Sequence, residues 1–167
     1  MNDIQLFNLD NFLKNENVDY SIYPDIFNLE SAQIGAKQYG LSLNEATPTI
    51  ILKAKDNYFA AIICGSTRIA FKKLKKALNI KDIRIADPET VFDITGSKIG
   101  EVSLINPGIH TLIDNHVIKN KNCYGGSGVS KTTLRINTID LIRITNAKVL
   151  DFTESKNFVR LDNVYCD

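Results

Sequence analysis

Between Asp87 and Gly108 the chain places two glycines, Gly96 and Gly100, around a short polar loop, and Val102-Ser103-Leu104 follows them. Glycine takes positive φ freely and leaves space above its Cα, so such a loop can bring backbone N–H groups close to a ligand. A second stretch of the same kind is Gly125-Gly126-Ser127-Gly128. Successive N–H groups there can form an anion-binding concavity. It is not a P-loop, because Gly-Lys-Ser/Thr is absent and no helix follows at once. The same glycines also read as a helix stop and a set of turns. Other chemistries find little support. His110 and His116 lie six residues apart without an HExxH pattern, so no metal site is expected. Ser103, His110 and Asp114 supply the residue types of a hydrolytic triad, but no nucleophile elbow accompanies them. Cys64, Cys123 and Cys166 are odd in number and widely spaced, which makes neither a disulfide framework nor a CxxC zinc signature. No cofactor is implied.

The elements that must position these loops can be read from periodicity and punctuation. Ile4, Phe7, Leu9, Phe12 and Leu13 approximate one apolar stripe and predict a helix over 3–15. Residues 18–23 alternate and stop at Pro24, as a strand would. A helix is expected over 29–39, closed by Gly40. Residues 49–54 and 58–64 read as two strands joined by a hairpin turn at Lys55-Asp56-Asn57. The second is apolar almost throughout and should be central. A helix over 71–79 carries Lys72, Lys73, Lys75 and Lys76, either a solvated face or a contact for phosphates. Asp87 and Pro88 open a short helix that Gly96 ends. Strands follow over 109–113 and 132–137. Thr138 can cap a helix over 139–145, where Asp140 meets the helix dipole, and residues 148–152 form a last strand.

The ordered set Ala86-Asp87-Pro88-Glu89, Thr95-Gly96-x-x-x-Gly100-x-Val102-Ser103 and Ile113-Asp114 resembles the YbaK/prolyl-tRNA-synthetase-associated editing domain family. Gly65 to Leu74, Gly125 to Gly128, Leu134-Arg135-Ile136 and Ile139-Asp140-Leu141 continue the likeness, which covers roughly residues 3 to 152. The resemblance implies an α/β fold of α+β type, with a curved mixed β-sheet of about six to eight strands flanked by helices. It also implies hydrolysis of the ester of misacylated tRNA in trans, with the tRNA's terminal hydroxyl helping to activate water. Thr95, Gly96, Gly100, Ser103, Gly126, Ser127 and Asp140 would converge on one pocket, with Gly100, Ser103 and Asp140 as the catalytic set. Tyr20, Thr47 and Thr49 would join Thr95, Gly96, Gly126 and Ser127 on the substrate-binding side. One departure stands out: Pro48 occupies the place of the family's pocket lysine. Lys53, an odd number of residues on, points to the other strand face. The loss should weaken tRNA binding or move the lysine's role to Lys53, Lys131 or Arg135. The loss leaves a second reading open, a non-catalytic module that binds tRNA, an amino acid or a protein partner on the retained fold.

Composition sets the remaining expectations. The 167 residues suit a single editing-type domain over 1–154 with a C-terminal extension over 155–167. A net charge of +1 exerts no global pull on nucleic acid, so contact with tRNA should be weak and local, helped by an aminoacyl-tRNA synthetase as partner. The first residues lack a signal-peptide pattern and no apolar run approaches a membrane span, so a cytoplasmic location is expected.

Overall fold

The structure, a computed structural model, describes residues 3–24, 36–37 and 39–156. Along the chain these form α1 (Asp3–Asn15), β1 (Tyr20–Pro24), β2 (Thr49–Ala54), β3 (Asn57–Ile62), β4 (Thr67–Ile69), α2 (Phe71–Leu78), β5 (Arg84–Ile85) and α3 (Pro88–Thr95). There follow β6 (His110–Asp114), a 3₁₀ turn (Val117–Lys119), β7 (Asn122–Gly126), β8 (Thr132–Asn137), α4 (Thr138–Thr145), β9 (Lys148–Leu150) and β10 (Thr153–Ser155). The fold is a mixed α/β architecture. The helix expected over 29–39 falls largely outside the described residues.

The ten strands form three sheets rather than one of six to eight. The largest is mixed, in the order β5-β2-β3-β6-β9, with β3 at its centre. β2 and β3 are an antiparallel hairpin turning at Lys55-Asp56, and Lys55 takes φ +53° to close it. β3–β6 and β6–β9 are parallel. β1-β8-β7 is antiparallel, and β10 pairs with β4. Isolated bridges, Ala46 to Tyr124 and Ser103 to Gly126, connect the three-stranded sheet to the chain around β2 and to the segment after α3.

Period-2 alternation on β2 assigns its two faces. Ile50, Leu52 and Ala54 pack with Leu74 of α2 and with Phe152, whereas Ile51 joins Ala60, Ala86, Val91 and Val102 beneath α3. A third cluster, including Leu13, Ile62, Leu104, Ile113, Leu134, Ile136 and Leu141, is shared by α1, α4, the large sheet and the three-stranded sheet. Each such fully buried aliphatic side chain contributes roughly 1.5–3 kcal/mol.

Local chemistry sets the helix ends beside the loops. The Asp87 carboxylate accepts from the Thr90 N–H at 2.8 Å and from the Thr90 hydroxyl at 2.9 Å, Pro88 opens α3, and Gly96 closes it in the left-handed region at φ +71°. Asn137, not Thr138, caps α4, its side-chain oxygen accepting from the N–H groups of Ile139 and Asp140. Towards the other end of the chain Ser155 pairs with Thr67 and the Lys156 N–H donates to the Ser66 carbonyl, so residues 155 and 156 pack on the same fold. No helix among the described residues is long and apolar enough to cross a membrane.

Candidate functional site

Three backbone segments meet at Gly125 and Gly126. The Thr47 N–H donates to the Tyr124 carbonyl at 2.8 Å and the Leu104 N–H to the Gly126 carbonyl at 2.9 Å. A Cβ on Gly125 would lie 2.6 Å from the Thr47 carbonyl oxygen and 2.7 Å from Leu104 Cδ2. On Gly126 it would lie 2.1 Å from the Val102 carbonyl oxygen. Only glycine permits backbones to approach so closely. The Ser97 hydroxyl donates to the Gly128 carbonyl at 3.2 Å and the Ser130 hydroxyl to the Glu101 carboxylate at 2.7 Å, so the Gly96–Gly100 loop and the Gly125–Gly128 stretch sit against each other.

Around this junction the side chains are hydroxyls. Thr47, Ser97, Ser103 and Ser127 are buried. Most are occupied: Thr47 Oγ1 donates to the Tyr124 carbonyl, Ser103 Oγ accepts from the Ile105 N–H, and Ser127 Oγ bonds Thr132 Oγ1 and accepts from the Val129 N–H. Thr95 Oγ1 donates to the Val91 carbonyl and accepts from the Ser97 N–H. Thr49 Oγ1 is different: it is buried with no hydrogen-bond partner among the described residues. It lies two residues before Ile51 on the β2 face that α3 and Val102 cover, next to the Thr47 end of the junction. Gly100 is exposed at φ +89° in the turn that the Glu101 N–H closes onto the Lys98 carbonyl, and its own N–H has no partner among the described residues.

Two of the residues proposed from sequence are engaged elsewhere. Asp140 is held by the Asn137 cap and by Arg143, whose guanidinium also reaches the Glu16 carbonyl at the end of α1. Tyr20 donates its hydroxyl to Asp10 on α1, and burial together with that carboxylate pushes the phenol up to about 12. Of the stand-ins for the missing lysine, Arg135 is committed to Asp19 at 2.8 Å and to Ser21 and Asn122. Lys53 Nζ lies 5.7 Å over the Tyr58 ring, towards the far end of β2. Lys131 lies in the turn that follows Ser127 and makes no ion pair among the described residues. Pro48 precedes β2, where its missing N–H breaks no ladder, and its carbonyl accepts from the Ile63 N–H.

The acid–base pair nearest to a hydrolytic arrangement was not legible from spacing alone. The Asp114 carboxylate, fully buried, accepts from His116 Nδ1 at 2.6 Å, while His110 lies beside the Phe59 ring. The pair therefore excludes the Ser103-His110-Asp114 set. Asp114 also accepts from the N–H groups of His116 and Phe152 and from the Thr153 hydroxyl. Burial raises its pKa, and these bonds outweigh burial and hold the carboxyl below its ordinary value. Two of its bonds come from neighbouring His116 and two from Phe152 and Thr153, where β9 leads into β10, so it ties the C-terminal strands to the end of β6. Cys64 is buried, and burial together with Asp114 pushes its thiol up to about 11, against nucleophilic use. Among the described residues no group of three His, Cys, Asp or Glu side chains is placed to hold a metal ion.

Comparison with known proteins follows the same residues. Prolyl-tRNA ligase from Caldicellulosiruptor bescii is 32% identical over 123 residues, spanning 74% of this chain and 21% of the ligase. The ligase from Thermoanaerobacter sp. is 28% identical over 127 residues, 74% of this chain and 22% of that protein. The chain thus spans about a fifth of the length of these relatives. Two crystal structures share the fold at a TM-score of 0.81: hypothetical protein APE2540, at 23% identity over 87% of this chain and 99% of the other, and a protein described as a candidate trans-editing enzyme for prolyl tRNA synthetase, at 16% identity over 93% and 100%. The aminoacyl-tRNA editing domain itself matches residues 28–144, which include β2, both glycine stretches, the 102–104 segment and nearly all of α4, and the chain belongs to that family.

Proposed function

We propose that the chain is an aminoacyl-tRNA deacylase acting in trans, which hydrolyses the ester between a wrong amino acid and the tRNA 3′ end. The observation that carries this reading is the junction at Gly125–Gly126. There three backbone segments and a set of buried hydroxyls meet, and two residues on from Thr47 the Thr49 Oγ1 is buried without a hydrogen-bond partner among the described residues. A buried hydroxyl left unpaired is costly, and a bound substrate would supply its partner. In the reaction a water oxygen attacks the ester carbonyl carbon. The C–O bond to the ribose breaks, and the departing ribose oxygen takes a proton. On this reading the Gly100 N–H, which has no partner among the described residues, donates to the tetrahedral oxyanion, an interaction typically worth about 3 kcal/mol. The Glu101 carboxylate bonds only the exposed Ser130, and no carboxylate or imidazole among the described residues bonds to the buried hydroxyls Thr47, Ser97, Ser103 and Ser127, so the remaining hydroxyl of the terminal ribose, adjacent to the ester, is the group assigned to activate the water.

Kinship with prolyl-tRNA ligases makes the tRNA for proline, charged with a wrong amino acid, the first substrate to test. Deacylation across a panel of misacylated tRNAs is the experiment. Release of the amino acid from at least one, above the spontaneous rate, is expected. Pro48 favours a second reading, a non-catalytic binding module, and tRNA or amino-acid binding without hydrolysis of any panel member would establish it instead.

A further inference from the structure

At the end of β2 away from the glycine junction, a cleft of about 280 Å³ is lined by Lys53, Lys55, Lys75, Asp82, Ile83 and Arg84. Lys53 is paired across the ladder with Arg84 of the edge strand β5, Lys55 sits in the hairpin turn, and Lys75 comes from the last turn of α2. Four cations therefore face one acid. None of the four forms an ion pair among the described residues, whereas Arg68, Lys73, Arg135 and Arg143 all do. A molecule of net charge +1 has concentrated uncompensated positive charge in one concavity. Aspartate and glutamate are plentiful elsewhere in the chain, so the lack of partners here is a local property.

We infer that this cleft binds the phosphodiester backbone of RNA. Lysine and arginine around a concave surface match closely spaced phosphates, and they hold them without reading bases. Placement adds direction to the charge. Thr49 and Lys53 are the first and fifth residues of β2, and four residues of strand span about 13 Å. An RNA whose 3′ terminus enters the glycine junction would have its preceding phosphates within reach of the cleft. The inference thus rests on the deacylase reading for its direction, and on the cations alone for its ligand.

The test compares the wild type with a Lys55→Gln/Lys75→Gln/Arg84→Gln variant. A control variant, Lys119→Gln/Lys121→Gln/Lys148→Gln, loses the same charge from exposed positions outside the cleft. Binding of unacylated total tRNA is measured at several salt concentrations, and hydrolysis is followed on misacylated tRNA and on a 3′-aminoacyl adenosine that has no phosphate chain. The cleft variant is expected to bind tRNA on the order of tenfold more weakly, with a salt slope lower by roughly two to three, while the control stays near wild type. Hydrolysis of the aminoacyl adenosine should be the same in all three proteins. Equal weakening in both variants, unchanged binding in the cleft variant, or no tRNA binding by the wild type at low salt would overturn the inference. Loss of tRNA binding in the cleft variant with no hydrolysis by any protein would sustain the cleft and remove the deacylase reading, so the two stand or fall separately.

Discussion

Thr49 and Gly100 make the residue-scale case for a bound substrate, and each can be tested without disturbing the fold. Because Thr49 Oγ1 has no partner to lose among the described residues, Thr49→Val should leave stability unchanged or raise it by up to about 1 kcal/mol in urea unfolding. Deacylation should nonetheless fall at least tenfold, and an unchanged rate would remove Thr49 from the substrate's surroundings. Gly100→Val meets a different obstacle. At φ +89° a β-branched residue is strained, at a cost of roughly 1–2 kcal/mol, but the turn is exposed and the core is untouched. Deacylation should drop sharply while the folded state persists by circular dichroism; an unchanged rate would show that this N–H does not serve the oxyanion. Asp114 is the structural counterpart. Removing a buried carboxylate that accepts four hydrogen bonds leaves the donors of His116, Phe152 and Thr153 unmatched. Asp114→Ala should therefore cost about 3 kcal/mol in a denaturant titration, without a specific effect on substrate affinity in whatever fraction remains folded.

At the scale of elements, β7 decides the site and is also where reading the sequence fell short. A run ending in Gly125-Gly126-Ser127-Gly128 has no β-branched residue over 119–128 and Tyr124 as its one aromatic, so its glycines read as a flexible loop rather than a strand. In the structure Gly125 and Gly126 are ladder residues opposite Leu134 and Thr133, and β7 is a strand because its neighbours require a side chain of zero width. That requirement is tertiary and cannot be seen in local propensity. Gly126→Ala puts a methyl group 2.1 Å from the Val102 carbonyl oxygen, where backbone must move. A loss of several kcal/mol or failure to fold is expected, far beyond the effect of Gly100→Val, and comparable thermal melting of the two variants would contradict this account of β7. The elements that were legible are those with local signals: α3 from its Asp87 cap, Pro88 and Gly96, the β2–β3 hairpin from its turn, and α1 and α2 from their apolar stripes. The site was legible only as two glycine stretches. That Ser97 and Thr132 bond within the candidate site, and that Asp140 pairs with Arg143, depends on how β7, β8 and α4 pack.

For the whole molecule, the ionisable groups fix a window of pH in which the fold is most stable. On the acid side Asp10, Asp19, Asp87 and Asp114 are held below the ordinary carboxylate value, Asp10 by the Lys14 ion pair, Asp19 by Arg135, Asp87 by Thr90 at the α3 cap, and Asp114 by the bonds that outweigh its burial. A depressed carboxyl contributes stability that is complete above its unfolded value, about 3.9, and is lost as pH falls through the folded one. The surface pairs should add little, so Asp114 governs this limb. On the alkaline side the direction reverses. The Cys64 thiol rises from 9.0 to about 11, mainly through burial, and the Tyr20 phenol from 10.0 to about 12, through burial and Asp10. Groups raised in this way favour the fold while they are protonated in both states, and that advantage is lost as pH climbs from the unfolded value towards the folded one. Denaturation midpoints should therefore be flat between about pH 5 and 8, fall below pH 4, and fall again from pH 9 upward. Cys64→Ala lowers stability throughout by opening a small cavity, yet its midpoint should decline less than that of the wild type between pH 9 and 11. Parallel alkaline limbs in the two proteins would mean that the thiol ionises in the folded state as readily as in the unfolded chain, which burial beneath the three-stranded sheet forbids.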